Sequence, residues 1–248
     1  FSGTDSGVGL SHFECSVDNS NPVTCTSPLQ IDSLRDGVHT LIASAHDNVG
    51  NRDLSPASFS WTVDTVAPVT SINSAFDSNK SEIQSGGNTS SNNAMFIFSA
   101  KDTGGVENKG VGINHFECSI DNSNYVICTS PLGTNSLTEG LHNLRIFSND
   151  NVGNMGSHPA SINWTVDTIP PATSINSAID GNNRTLDNKA NSSSTSITFT
   201  LTGNDNGGVG VNHIECSLDG GSFAECKSPI EYSSSNISDG AHIFEARA

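Results

Sequence analysis

With 248 residues the chain exceeds the usual size of one domain, and its ten Lys and Arg against 26 Asp and Glu leave a formal net charge of −16. That balance argues against nucleic acid and makes anionic membrane a poor partner, because phosphate binding needs a basic face that releases counterions. The acidic surplus has two readings: a surface kept soluble by its charge, or one that attracts divalent cations. No run approaches the roughly 18 apolar residues of a membrane span.

The opening Phe1-Ser2-Gly3-Thr4-Asp5 is not a signal peptide, so a secreted protein would carry its signal outside this chain. The next stretch sets the organisation. His12-Phe13-Glu14-Cys15-Ser16-Val17-Asp18 returns as His115-Phe116-Glu117-Cys118-Ser119-Ile120-Asp121 and as His213-Ile214-Glu215-Cys216-Ser217-Leu218-Asp219. The interval is roughly a hundred residues, a common domain size, which makes the chain an array of equivalent modules. Each copy reaches a second cysteine with C-x9-C spacing: Cys15 with Cys25, Cys118 with Cys128, Cys216 with Cys226. Three equal pairs with none left over are the arithmetic of disulfides in an oxidising, extracellular compartment. Zinc asks instead for C-x2-4-C spacing or a Cys/His cluster.

Copies one and two close with Trp61-Thr62-Val63-Asp64-Thr65 and Trp164-Thr165-Val166-Asp167-Thr168. These ends place the modules at 1–65, 66–168 and 169–248. The first begins at the equivalent of Phe98 and lacks its opening strand; the third stops at Ala246-Arg247-Ala248 and lacks its closing one. Open edges of this kind invite aggregation. The expectation is therefore a window on a longer tandem array, or a subunit completed by strands of neighbouring copies.

In the complete middle copy, period-two alternation predicts strands over 70–74, 94–100, 112–120, 125–128, 131–136, 141–149 and 160–167. The expected class is all-β, with tandem seven-stranded β-sandwiches and no convincing helical periodicity. Alternation sets Phe116, Cys118 and Ile120 on the core face. A turn centred on Asp121-Asn122-Ser123-Asn124 then puts Cys118 and Cys128 directly opposite each other across a hairpin, within disulfide reach. A further motif, Asp36-Gly37-Val38-His39, recurs as Glu139-Gly140-Leu141-His142 and Asp239-Gly240-Ala241-His242. Its histidine shares a face with Leu41 and Ala43, Leu144 and Ile146, or Phe244 and Ala246. A buried hydrogen bond to nearby backbone is the expected role of each histidine.

The succession F-E-C-S-x-D, a second cysteine, T-S-P, D-G-x-H, D-N-x-G-N and W-T-V-D-T-x-x-P resembles the immunoglobulin-like repeats strung in tandem in large secreted surface proteins of bacteria and archaea. The resemblance covers essentially the whole chain and implies an extracellular, cell-surface location. For function it implies a class rather than a reaction. One reading is an extended surface rod, stalk or filament whose partners are copies of itself or adjacent modules of a longer chain. Another is an adhesin whose loops bind a surface glycan or receptor; aromatic residues, at 6% of the chain, are few for that task. The third is the non-catalytic stalk of a larger extracellular enzyme.

Oxygen-bearing residues recur where one end of each sandwich is expected. The loop D-N-V-G-N supplies Asp47 and Asn51, then Asp150 and Asn154; the loop after the 94–100 strand and its counterparts supplies Asp5, Asp102 and Asp205; the junctions supply Asp64 and Asp167. Oxygens gathered in this way suit Ca2+, the one cofactor the sequence offers, yet Asp, Asn and Gly are also the ordinary formers of turns. Prolines at the junctions, Pro68, Pro170 and Pro171, restrict the backbone and make the linkers short and semi-rigid. Sequons at Asn79, Asn88, Asn163, Asn183, Asn191 and Asn236 nominate glycosylation. There is no G-x-S-x-G elbow, phosphate loop or H-E-x-x-H, and the chain is not expected to be an enzyme.

Overall fold

The computed structural model of the chain describes residues 1–104, 110–233, 235 and 237–248. Every regular element among them is a β-strand. Copy one holds β1 (Leu10–Val17), β2 (Val23–Cys25), β3 (Gly37–Asp47) and β4 (Ala57–Val63). Copy two holds β5 (Val69–Asp77), β6 (Gly87–Thr89), β7 (Ala94–Lys101), β8 (Ile113–Ile120), β9 (Val126–Cys128), β10 (Leu132–Thr134), β11 (Gly140–Asp150) and β12 (Ala160–Val166). Copy three holds β13 (Ala172–Asp180), β14 (Ile197–Asn204), β15 (Ile214–Leu218), β16 (Ala224–Cys226), β17 (Ile230–Tyr232) and β18 (Phe244–Arg247).

The chain forms two compact units, one of residues 1–74, 96–132 and 143–162, the other of residues 75–95, 133–142 and 163–248, so copy two contributes to both. Copy one builds a sheet of order β2-β1-β3-β4; copy two builds β10-β7-β5 and β6-β12-β11-β8-β9; copy three builds β13-β14-β17 and β16-β15-β18. Paired sheets meet through aromatic rings. In the first unit Phe98 of β7 packs edge-on against Phe116 of β8 with centroids 5.0 Å apart; in the second, Phe199 of β14 stacks on Phe244 of β18 at 4.1 Å. Facing sheets closed by such contacts are sandwich-type packing.

Period-two alternation explains which strands carry the core. Ala94, Phe96 and Phe98 of β7, Leu144 and Ile146 of β11, and Ile162, Trp164 and Val166 of β12 are all buried, each two residues from the next. All seven strands expected in the middle copy are present. An eighth, β6, was not expected: its Gly-Asn-Thr shows no alternation, and it forms by running parallel to β12, with Gly87 beside Trp164 and Thr89 beside Val166.

The three disulfides are formed as the spacing required, Cys15–Cys25, Cys118–Cys128 and Cys216–Cys226, with Cα atoms 5.8 to 5.9 Å apart. Their register corrects the expected one. Cys118 pairs with Val126 and Cys128 with Phe116, so the cysteines are diagonal neighbours rather than directly opposed. The reason lies in the turn. Asp121 and Asn122 both adopt positive φ, 52° and 60°, and the Ser123 N–H closes on the Ile120 carbonyl at 2.9 Å. That is a two-residue turn of the mirror-image type that matches strand twist, centred one residue earlier than anticipated. Copies one and three repeat it at Asp18-Asn19 and Asp219-Gly220. Ser119, which alternates with the core residues Cys118 and Ile120, is buried too, and its hydroxyl donates back to the Ser123 carbonyl at 2.6 Å.

Candidate metal centre

Three strand ends deliver three aspartates to one place in the first unit. Asp64 follows β4, Asp102 follows β7 and Asp150 ends β11; they offer carboxylate oxygens within 4.8 Å of one another. Their exposures are 7%, 7% and 0%. Like charges this close and this dry repel one another strongly. Among the described residues, none of the three is ion-paired with Lys, Arg or His.

Amide donors offset part of that repulsion. Val66 N–H donates to Asp64 Oδ1 and Val111 N–H to Asp64 Oδ2, both at 3.0 Å, and Gly112 N–H donates to Asp102 Oδ2 at 3.0 Å. Val152 and Asn154 N–H groups reach Asp150 Oδ1 at 2.9 and 2.8 Å. Burial pushes the Asp150 carboxyl up, but the side-chain and backbone donors of Asn154, with those of Val152 and Gly153, outweigh it and hold its pKa below the usual carboxylate value. A Cβ on Gly104 would lie 1.8 Å from Asp64 Oδ1, so the loop closes on that carboxylate only because the residue is glycine. An all-oxygen, formally anionic donor set in a cradle with no room for a Cβ fits a hard cation such as Ca2+ better than a softer metal.

Copy three repeats the arrangement at the next junction, inside the second unit. Val209 N–H donates to Asp167 Oδ2 at 2.8 Å and Gly210 N–H to Asp205 Oδ2 at 2.7 Å. A Cβ on Gly208 would fall 2.4 Å from Asp167 Oδ2 and 2.5 Å from Asp205 Oδ2, and Asp205 Oδ1 is buried without a hydrogen-bond partner among the described residues. In copy one, Asp5 and Asp47 line a common cavity, and Asp5 accepts the Gly7 and Gly9 amides at 3.1 and 2.7 Å.

The structure thus groups the nominated aspartates one from each loop. The two nominated asparagines have another part: Asn51 Nδ2 donates to Asp47 Oδ2, and Asn154 Nδ2 donates to Asp150 Oδ2, each at 2.7 Å. Asn154 also donates to the Asp64 carbonyl at 3.0 Å, bracing the D-N-V-G-N loop against the junction. Sequence reasoning passed over the amide donors, although Gly-Val-Gly recurs at 7–9, 110–112 and 208–210 and signalled them. It also passed over the acidic residue of the D-G-x-H motif. Asp36 accepts the Thr65 N–H and hydroxyl at 3.0 and 2.9 Å, and Glu139 holds Thr168 through the same two groups, which ties down the residue after each junction aspartate.

Of the sequons, Asn79, Asn88, Asn163, Asn183 and Asn191 are exposed; Asn163 differs from the rest in sitting within β12. Asn236 lies outside the described residues.

The recurrent histidine makes the expected backbone bond, with Nε2 of His39, His142 and His242 2.7 Å from the carbonyls of Arg35, Thr138 and Ser238; it is buried as expected at His39 and His142, whereas His242 is exposed. What the sequence did not announce is the second partner. Nδ1 lies 2.7 Å from Asp18 Oδ2 at His39 and 2.8 Å from Asp219 Oδ2 at His242. Carbonyl and carboxylate both accept, so the ring donates from both nitrogens only as imidazolium. The Arg35 carbonyl and then Asp18 raise the pKa of His39 above 6.5; His39 and the Thr40 amide lower that of Asp18 below 3.8. The histidine contribution is complete below pH 6.5 and is lost as pH rises through the raised value. The aspartate contribution is complete above pH 3.8 and is lost as pH falls through the lowered one. By NMR titration both His39 and His242 are expected to titrate above the ordinary value. Asp18→Asn moves the His39 midpoint down and leaves His242 in place; an unmoved His39 midpoint would rule the clasp out.

No protein-family model and no curated sequence matches the chain. Among solved structures, it is similar over 92% of its length to 22% of the chain of dimeric latent PorU from Porphyromonas gingivalis, at 16% identity and a TM-score of 0.30. It is similar over 95% of its length to 61% of a tetra-tandem repeat in the extending region of a large adhesion protein, at 16% identity and a TM-score of 0.28. A Bacteroides ovatus protein, SGBP-B of a mixed-linkage glucan utilization locus in complex with a mixed-linkage heptasaccharide, matches over 90% of this chain and 80% of its own, at 13% identity and a TM-score of 0.17.

Proposed function

We propose that the chain is a stretch of an extracellular, non-catalytic structural protein, in which immunoglobulin-like sandwiches of seven principal strands are strung in tandem as a surface rod, stalk or filament, with Ca2+ stiffening the junctions. The observation that carries this reading is the burial of Asp64, the last aspartate of copy one, with Asp102 and Asp150 of copy two. A cation held by all three ties the end of one copy to two loops of the next. Asp64, Asp102 and Asp150 would hold it, and the repeat of Asp167 beside Asp205 supports the same use at the following junction. Three hairpin disulfides support an oxidising, extracellular setting. The recurrent histidines support a structural rather than catalytic role, since both ring nitrogens of His39 and His242 are committed to fixed acceptors.

Small-angle X-ray scattering of the chain in Ca2+ and in chelator tests the reading. Ca2+ is expected to lengthen the maximum dimension and sharpen the distance distribution, as free junctions become fixed. Identical curves in the two buffers would overturn it.

A further inference from the structure

A second polar cluster stands apart from the carboxylates and differs in chemistry. His12 and Glu14 are alternate residues of β1 and therefore share a face; His46 of β3 is the direct cross-strand partner of His12. The two imidazoles stack with centroids 4.7 Å apart and planes 15° from parallel. His46 Nε2 lies 3.1 Å from Glu14 Oε2. Each of the three residues offers one ligand atom within 4.8 Å of the others, and all three are half-buried, dry enough to be held and open enough to be reached. Ser11 Oγ, 3.2 Å from His12 Nδ1, can accept the proton of that nitrogen, the tautomer that leaves a lone pair on Nε2.

We propose that His12, Glu14 and His46 form a transition-metal site that takes one Zn2+, with its remaining positions open to water. Two imidazoles and one carboxylate are a donor set that Zn2+ accepts and that Ca2+, which wants hard oxygens, does not favour. The backbone supplies the spacing: a cross-strand pair and an alternate residue are the closest same-face neighbours a sheet has. Arg52 opposes the metal, its guanidinium 3.8 Å from Glu14 Oε2.

The repeat itself provides the control. In copy two, the residue opposite His115 is Asn149, and in copy three Glu215 is ion-paired by Arg247 at 2.7 Å. Among the described residues, copy one alone assembles two histidines and a glutamate. One site per chain is therefore expected.

Isothermal titration of the chain with Zn2+, in Ca2+ sufficient to fill the aspartate sites, tests the assignment. One equivalent is expected to bind. His46→Asn, which installs the copy-two residue, and Glu14→Gln each weaken it by more than about tenfold. Arg52→Gln strengthens it, an effect that loss of a structural contact would not produce. If His46→Asn fails to fold by circular dichroism, His12→Asn gives the same reading. Absence of binding in the parent chain, or affinity unchanged by the His and Glu substitutions, would overturn the proposal while leaving the junction aspartates untouched.

Discussion

Exchanging Asp102 for Asn is expected to change stability in opposite directions with and without Ca2+. In chelator, Asp64, Asp102 and Asp150 are three buried carboxylates with no cation among the described residues, so removing one charge relieves repulsion. Asn keeps an oxygen to accept the Gly112 amide, which in the parent chain reaches Asp102 Oδ2 at 3.0 Å. The variant therefore melts at or above the parent temperature. In Ca2+ the order reverses. A ligand present at about a hundred times its dissociation constant adds about 2.7 kcal/mol to the state that binds it. For a domain of this size, that raises the midpoint by roughly 10 °C or more. A centre reduced to two carboxylates forfeits most of that gain. Calorimetry of both chains in both buffers decides the matter. An equal rise of parent and variant in Ca2+ would remove the three aspartates from any cation site.

How much of this was legible follows from what kind of signal each feature leaves. The core strands β7, β11 and β12 announce themselves because burial alternates with the pleat, and Phe96, Leu144 and Trp164 fall where alternation puts them. Short elements leave no such trace. Strand β6 has three residues and depends on β12 for its pairing, so its existence is a tertiary fact. The disulfide partners could be counted from sequence, but the diagonal register could not, because it depends on which two residues take positive φ at Asp121 and Asn122. Among the candidate ligands, residue type and recurrence picked out Asp64, Asp102 and Asp150. Their convergence needed the fold, since they stand far apart in the chain. His12 and His46 were invisible as a pair for the same reason: only the register of β1 against β3 sets them face to face. The partnership of His39 with Asp18 belongs to the same class, with both residues inside recurrent motifs and nothing local to join them.

Replacing Trp164 by Ala is expected to cost about 3–5 kcal/mol, a large part of what a single domain has to lose. Trp164 is fully buried in β12 between Ile162 and Val166, its ring 5.6 Å from that of His142. The parallel strand β6 runs alongside it, and the Gly86 N–H donates to the neighbouring Asn163 carbonyl at 2.7 Å, so the wall beside the indole is held by backbone bonds and cannot readily collapse into a cavity. Trp61 is the equivalent residue of copy one and serves as the comparison. It lies only partly buried in β4, stacked on Phe59, which is itself 67% exposed. Trp61→Ala therefore leaves a dent open to water, and its cost should be a fraction of that at Trp164. Calorimetric unfolding of the two single variants separates the cases, with the larger fall in midpoint at Trp164. Equal falls would mean that both rings are covered to the same degree in solution, and that copy one finds a lid for Trp61 by another route, such as the edge of a neighbouring chain.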